Sequence, residues 1–254
     1  MDFLSDKNSK RQFITCYTAF IINGMLALSI GSLLPFIRDA RGLDYAFAGL
    51  IVSLHSVGNF ISSFFAGALA AAIGRKRSIL IFDIFCPIAY LLIILASNNL
   101  MIAAAFLLTG LARGANSNYC NTAINELAPG KAWILNGLHA MFSVGAFLFP
   151  ILLTLFTKNN GDGWIYACYF MLVMGILSFT LYLLSPGEES GGKGSAKAAG
   201  AEKTGDNGFG FFKERLFWLA ICTLFFYLCA EQGVIGWMVT YFTDTGYISK
   251  SLAQ

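Results

Sequence analysis

The stretch GALAAAIGRKRSIL (residues 67–80) decides the fold because it places a cationic turn between two apolar segments. Arg75, Lys76 and Arg77 follow Gly74 directly, and the sequence becomes apolar again at once. Loops enriched in Lys and Arg are typical of the cytoplasmic side of membrane proteins. The stretch therefore predicts a tight cytoplasmic turn between two membrane-spanning helices.

The composition of the whole chain supports a membrane protein. Of the 254 residues, 57% are hydrophobic and 12% are charged, whereas soluble domains carry about a quarter charged residues. A membrane-spanning helix needs about 20 largely apolar residues, and short alternating segments that would indicate a β-barrel are missing from the sequence. We predict an all-α polytopic membrane protein. Its seven predicted spans are Phe13–Ile37, Ala46–Ile73, Ser78–Ala96, Leu100–Glu126, Ala132–Thr157, Trp164–Leu184 and Leu216–Phe242.

The basic residues set the predicted orientation. Most of the 17 Lys and Arg residues fall on the cytoplasmic side when the N-terminus is placed there. We therefore expect a multi-pass protein of the cell (cytoplasmic, inner) membrane with a cytoplasmic N-terminus. The net charge of +3 then reflects topology, so a nucleic-acid partner is not expected.

The chain divides into four predicted regions. Residues 1–12 form a cytoplasmic N-terminus, and residues 13–184 form a six-helix bundle. Residues 185–213 are rich in Gly, Ser and charge, which is typical of a flexible linker. Residues 214–254 hold a seventh helix that begins an incomplete second bundle. Six spans, a long linker and a new span are typical of transporters built from two repeated halves.

The cationic turn carries a recognisable pattern. The sequence G-x-L-x-x-x-x-G-R-K-x-x-x-L, which begins at Gly67 and ends at Leu80, resembles the signature loop of the major facilitator superfamily. The resemblance implies a cytoplasmic gate in which loop cations pair with carboxylates on neighbouring helices. The family usually has an aspartate at the position of Ala71. The candidate gate residues are Gly67, Gly74, Arg75, Lys76, Arg77, Asp83 and Glu126.

Polar side chains inside the spans are the candidates for solute binding, because they are costly in lipid and usually face a cavity or a partner. They form three stripes at helical spacing. The stripes are His55, Asn59 and Ser62 in span two, Asn118, Asn121 and Asn125 in span four, and Asn136, His139 and Ser143 in span five. Donors and acceptors together suit a neutral, hydroxyl-rich solute such as a sugar. The alternative is hydrogen bonding between helices that holds the bundle together.

Two longer segments sharpen the resemblance. NTAINELAPGKAWILNGLHAMFSVGAFLFP (121–150) and YLCAEQGVIGWMVTYF (227–242) resemble the fucose permease branch, the sugar–proton symporters of the superfamily. The resemblance implies a six-helix N-terminal bundle with a three-plus-three repeat, followed by the seventh helix. Asn121 and Gly31 stand where that branch has acids, so the usual proton coupling is in doubt. The candidate substrate-binding residues are His55, Asn59, Arg113, Asn121, Asn125, Asn136, His139, Glu231 and Trp237.

Arg113 leaves two interpretations open, because a guanidinium near the middle of a span needs a partner or water. A structural pair with Glu231 is slightly favoured, and binding of an anionic solute is the alternative. We predict secondary active or facilitative transport of a small polar solute, most simply a sugar. The alternatives are transport of a sugar acid or other organic anion through Arg113, and a truncated membrane scaffold that does not transport. A retinal pump is disfavoured because span seven has no lysine.

The sequence favours no enzyme, cofactor or metal. The six cysteines are scattered without a C-x-x-C pair, and two histidines in different spans do not make a metal site. The expected partners are the lipid bilayer and a small polar solute, with a proton as the candidate coupled ion. We also expect a missing C-terminal half or a second protomer to complete the transporter.

Overall fold

A computed structural model describes residues 6–158, 161–186 and 214–246. This part of the chain is built from eight α-helices, and one short 3₁₀ turn at Gly161–Gly163 precedes the seventh. The helices are α1 (Lys7–Arg41), α2 (Tyr45–Ile73), α3 (Arg75–Asp83), α4 (Phe85–Leu95), α5 (Asn99–Leu127), α6 (Ala132–Thr157), α7 (Trp164–Leu184) and α8 (Arg215–Asp244).

Seven segments of the described chain are long and apolar enough to span a membrane, since α3 and α4 together make one segment from Arg75 to Leu95. The predicted all-α polytopic fold is therefore confirmed. The helices extend past the predicted spans; α1, for example, runs from Lys7 to Arg41 rather than from Phe13 to Ile37. The predicted linker 185–213 lies, except for its first two residues, outside the described residues, and the division into four regions stays a prediction.

Local sequence explains where the helices begin and end. The Asp44 carboxylate caps α2 by accepting a hydrogen bond from the Phe47 amide (2.7 Å). Gly42 ends α1 in the left-handed region at φ 61°, and Gly74 ends α2 at φ 92°. Only three residues separate α1 from α2, so the two helices are antiparallel neighbours. Pro87 interrupts the third span, because it has no N–H to donate to the carbonyl of Asp83.

Helix α1 is the centre of the bundle. In its most apolar 18-residue window 83% of the residues are buried, compared with 6% for α8. It packs along α6 and against α5, α7 and α8, while α2 lies along α5 and α4 lies between α5 and α7. Most of the described helices therefore pack around α1. Helix α8 contacts α1 but is itself largely exposed.

Glycines allow two helix pairs to touch backbone to backbone. A Cβ on Gly24 of α1 would collide with the Phe142 carbonyl of α6, and a Cβ on Gly145 of α6 would collide with the Ile21 carbonyl of α1. Gly58 and Gly110 make the same reciprocal contact between α2 and α5. Small residues at such crossings are what hold helices together in lipid, where apolar burial alone provides little drive.

The buried side chains form two apolar clusters along the bundle axis. The first includes Leu33, Tyr90 and Phe149 and lies towards the Arg41 end of α1. The second includes Phe20 and Tyr182 and lies towards the Lys7 end. The polar layer, which we define as Asn23, Asp83, Asn116 and Ser178, is buried between them.

The glycine contacts generate a stability prediction. Gly145→Ala forces a methyl group against the Ile21 carbonyl, so we expect a loss of about 1–3 kcal/mol in the free energy of unfolding. The matched control is Gly233→Ala in α8, where a Cβ meets no atom within 4 Å. The control should melt at or slightly above the temperature of the parent chain in lipid nanodiscs. Equal melting temperatures for the two variants would contradict the proposed role of the contact.

Candidate functional site

The candidate site is a cavity between α1, α2, α5, α6 and α8, which we call the central cavity. His55 from α2, Arg113 from α5 and Glu231 from α8 all line it. Its volume is about 60 Å³, which is room for a few water molecules. Three predicted substrate-binding residues that are far apart in sequence therefore meet at one place.

Arg113 is the unusual member of the central cavity. Its Nε is buried without a hydrogen-bond partner, and its Cζ lies 6.0 Å from the centre of the Phe142 ring. Glu231 is close enough for its charge to act on the guanidinium, yet no ion pair joins the two within the described ranges. The slightly favoured structural pair is therefore not formed, and Arg113 keeps hydrogen-bonding capacity inside the cavity.

The hydrogen bonds of His55 assign its ring nitrogens. Thr109 donates its hydroxyl proton to the Phe106 carbonyl (2.6 Å), and Nδ1 of the buried His55 lies 2.8 Å from the same hydroxyl oxygen. Because a hydroxyl has one proton to give, Nδ1–H of His55 must donate to Thr109. The imidazole is then held in one tautomer, in which Nε2 carries the free lone pair.

Two other predicted residues lie near the cavity without lining it. Asn59 lies at the α2–α5 crossing, where its side-chain oxygen would be 2.8 Å from a Cβ placed on Gly114. Trp237 packs against the apolar cluster at the Arg41 end of α1. Both sit where helices meet, which fits the alternative of polar and aromatic contacts that hold the bundle together.

The remaining predicted substrate-binding residues lie elsewhere. Asn121 donates to the Ser117 carbonyl of its own helix (2.9 Å), and Asn125 borders a separate pocket at the α5–α6 turn. Asn136 and His139 are exposed on α6; the His139 ring meets Phe20 edge-on at 5.5 Å. The predicted stripes thus do not line one common cavity, and their binding role stays a prediction.

The end of the bundle that carries residues 74–77 holds a hydrogen-bonded ion pair. Nη1 and Nη2 of Arg75 both donate to the Glu126 carboxylate, and the distance from Nη2 to Oε1 is 2.7 Å. Lys76 Nζ donates to the Ser185 carbonyl (2.7 Å), while Arg77 is exposed. The geometry agrees with the expected pairing of Glu126 with the loop, and the gating role of the loop stays a prediction.

Asp83 corrects the expectation that it pairs with Arg75 or Arg77. It is 2% exposed, and its Oδ1 accepts hydrogen bonds from Asn116 (3.3 Å) and Ser178 (3.2 Å). Its position at the end of α3 turns it into the bundle and away from the loop. Asp83 belongs to the polar layer.

A second ion pair at the opposite end of the bundle was not predicted. The Arg38 guanidinium donates two hydrogen bonds to Asp244 at the end of α8 (2.6 and 2.8 Å), and the Tyr45 hydroxyl donates to the same carboxylate (2.6 Å). Arg38 also stacks over the Tyr45 ring, 4.8 Å from its centre. We call these three residues the clasp. Their separation in sequence by about 200 residues left no local pattern that could have identified it.

The sequence of the chain matches one protein family over nearly its whole length. The sequence profile of the Major Facilitator Superfamily matches residues 16–253. The chain belongs to the major facilitator superfamily. The predicted superfamily is therefore confirmed, while the fucose permease branch within it stays a prediction.

The curated relatives of this superfamily chain are distant. A "Protein TsgA homolog" of Serratia proteamaculans is 23% identical over 245 residues, which is 95% of this chain and 60% of the relative. A "Gallate transporter" of Pseudomonas putida is 25% identical over 173 residues, 67% of this chain and 38% of the relative. "Sugar transporter ERD6" of Arabidopsis thaliana is 34% identical over 86 residues, 34% of this chain and 17% of the relative.

Two of these relatives, the gallate transporter and the sugar transporter, are named as transporters. The chain spans about 60% of the length of the first relative it matches. Among the described residues, no group of three or more His, Cys, Asp and Glu side chains is placed to hold a metal ion. The six cysteines are free thiols, four buried and two exposed.

The clasp generates a prediction about its own strength. In a double-mutant cycle of Arg38→Gln and Asp244→Asn, we expect a coupling energy of about 1 kcal/mol, because the pair is bidentate and both side chains are largely shielded, at 12% and 26% exposure. Unfolding of the four proteins in nanodiscs measures it. The control cycle combines Asp244→Asn with Arg75→Gln at the other end and should be additive. Additivity in both cycles would show that the ion pair between Arg38 and Asp244 adds no stability.

Proposed function

We propose that this chain contributes the N-terminal bundle and the first helix of the second half to a transporter of a small hydroxylated carboxylate, such as a sugar acid or a phenolic acid. The observation that carries the proposal is Arg113, whose guanidinium faces the central cavity with its Nε unpartnered. A carboxylate on the solute supplies the charge and the acceptor oxygens that this side chain needs inside a membrane.

Glu231 gives the cavity a second, opposing charge. It acts on Arg113 without forming an ion pair with it, so an entering carboxylate would compete with Glu231 for the guanidinium. Taking up a proton would relieve the repulsion between the two carboxylates. Glu231 is therefore the candidate proton-coupling residue, in place of the acids that the sugar–proton symporters carry at the positions of Gly31 and Asn121.

The solute hydroxyls would be recognised from α2. Nε2 of His55, whose tautomer is held by Thr109, is an acceptor for a hydroxyl donor. The relative named a gallate transporter is consistent with a solute that has hydroxyl groups and a carboxylate.

Alternating access would supply the space for a solute larger than the present cavity. In this arrangement the clasp ties α8 to the Arg38 end of α1, which we place on the outer face of the membrane. The loop of residues 74–77 would lie in the cytoplasm, in keeping with the predicted orientation. Opening of the clasp would let α8 separate from α1 and would widen the central cavity towards the outside.

A neutral sugar is the second candidate solute. Asn136, His139 and Ser143 lie exposed along α6, and a polar stripe of this kind suits sugar hydroxyls more than lipid. The relative named as a sugar transporter is consistent with this choice. The two candidates differ in their requirement for Arg113.

Uptake by cells that express the full-length gene separates the candidates. We expect uptake of gluconate, galacturonate or gallate but not of glucose or fucose, and Arg113→Gln should lower carboxylate uptake at least about tenfold, since a charge-assisted bond is lost. Lys158→Gln, which removes an exposed cation outside the cavity, is the matched control and should transport normally. Uptake of a neutral sugar that survives Arg113→Gln would overturn the carboxylate proposal and support the sugar.

A further inference from the structure

We propose that the polar layer is a binding site for one small monovalent cation, Na⁺, separate from the central cavity. A cavity of about 10 Å³ lies between α1, α3, α4, α5 and α7, and its polar lining is Asn23, Asp83, Asn116 and Ser178. All four side chains are at least nine-tenths buried, with exposures of 1–4%.

Two oxygens at this cavity have no hydrogen-bond donor. Oδ1 of Asn23 and Oδ2 of Asp83 are both buried and unpartnered. The other polar atoms of these two side chains are hydrogen-bonded. Asn23 Nδ2 donates to Ser117 (2.9 Å), and Asp83 Oδ1 accepts from Asn116 and Ser178. Buried acceptors without donors are rare in proteins, because each one loses its hydration without replacement.

Pro87 removes one helical hydrogen bond next to this cavity. A proline has no N–H, so the main-chain carbonyl of Asp83, four residues earlier, lacks its helical donor. Ser178 gives its hydroxyl proton to Asp83 and keeps its lone pairs. The carboxylate, amide and hydroxyl oxygens that line this small cavity are ligands that hard cations prefer.

Charge balance selects the valence and size of the ligand. Asp83 has no cationic side chain as a partner in the described part of the chain, and an isolated carboxylate inside a bilayer is strongly disfavoured. Exchanging the oxygen and nitrogen of the Asn23 amide would leave the negative charge of Asp83 uncompensated. One monovalent cation neutralises it, and a cavity of about one water molecule favours Na⁺ or Li⁺ over the larger K⁺.

The test is the melting temperature of the full 254-residue chain in nanodiscs, measured in NaCl, LiCl, KCl and choline chloride at fixed pH and ionic strength. We expect Na⁺ to raise the melting temperature over KCl in a saturable way, by about 3–6 °C at ten times its Kd. Equal melting temperatures in NaCl and KCl would overturn the proposal. If they are also equal at every pH but rise together as the pH falls, a proton occupies the site instead.

Variants assign the effect to the polar layer. Asp83→Asn should abolish the Na⁺-specific rise, and Asn23→Ala should weaken the apparent Na⁺ affinity about tenfold; the second variant keeps the test decisive if the first does not fold. Glu231→Gln is the matched control because it removes a carboxylate from the central cavity. It should keep the full Na⁺ effect, and loss of the effect in this variant would place the ion in the central cavity and overturn the proposal. The readout needs no solute, so it stands or falls independently of the proposed transport.

Discussion

Direct backbone contact between α1 and α6 is the constraint on which the rest of the bundle depends. Apolar burial gains little when the surroundings are as apolar as the side chains, so the helices must be held by close packing and polar contacts. Gly24 and Gly145 bring the two backbones together, and α1 becomes buried on nearly every side. Any polar group on α1 must then find its partner inside the bundle, which is why Asn23 reaches α5 through Ser117.

The charged groups follow from the same constraint. At the two ends of the bundle, where water is available, cations and anions pair directly, as Arg75 does with Glu126 and Arg38 with Asp244. Inside the bundle, Arg113 faces a cavity that also holds Glu231, while Asp83 is surrounded by neutral groups. Interior charges left without a direct partner are costly and are therefore expected to serve a function. Arg113 and Asp83 have opposite charges, so they call for ligands of opposite charge.

The sequence predicted the fold more fully than the site. Apolar length and basic loops fix the number and order of the spans, since a bilayer accepts little besides helices of this length. The membership of Arg113, His55 and Glu231 in one cavity was also within reach, because each is an ionisable residue inside a span. The direction of individual side chains could not be predicted from the sequence. Asp83 points into the bundle next to the break at Pro87, and Asn121 donates to a carbonyl of its own helix. The clasp depends on α8 packing against α1, which no local pattern encodes.

The central cavity and the polar layer use the same two helices. On α1, Asn23 borders the polar layer and Ala27, one turn later, borders the central cavity; on α5, Asn116 and Arg113 are separated in the same way. A cation bound at Asp83 would tie α1 and α5 to α3 and α7, and would restrict the helices that must move around a solute. By thermodynamic linkage, a solute whose affinity changes when the cation binds must change the affinity of the cation by the same factor. Coupling between the ion and the solute in this fold therefore needs no direct contact between them. It is enough that α1 and α5 border the binding sites of both.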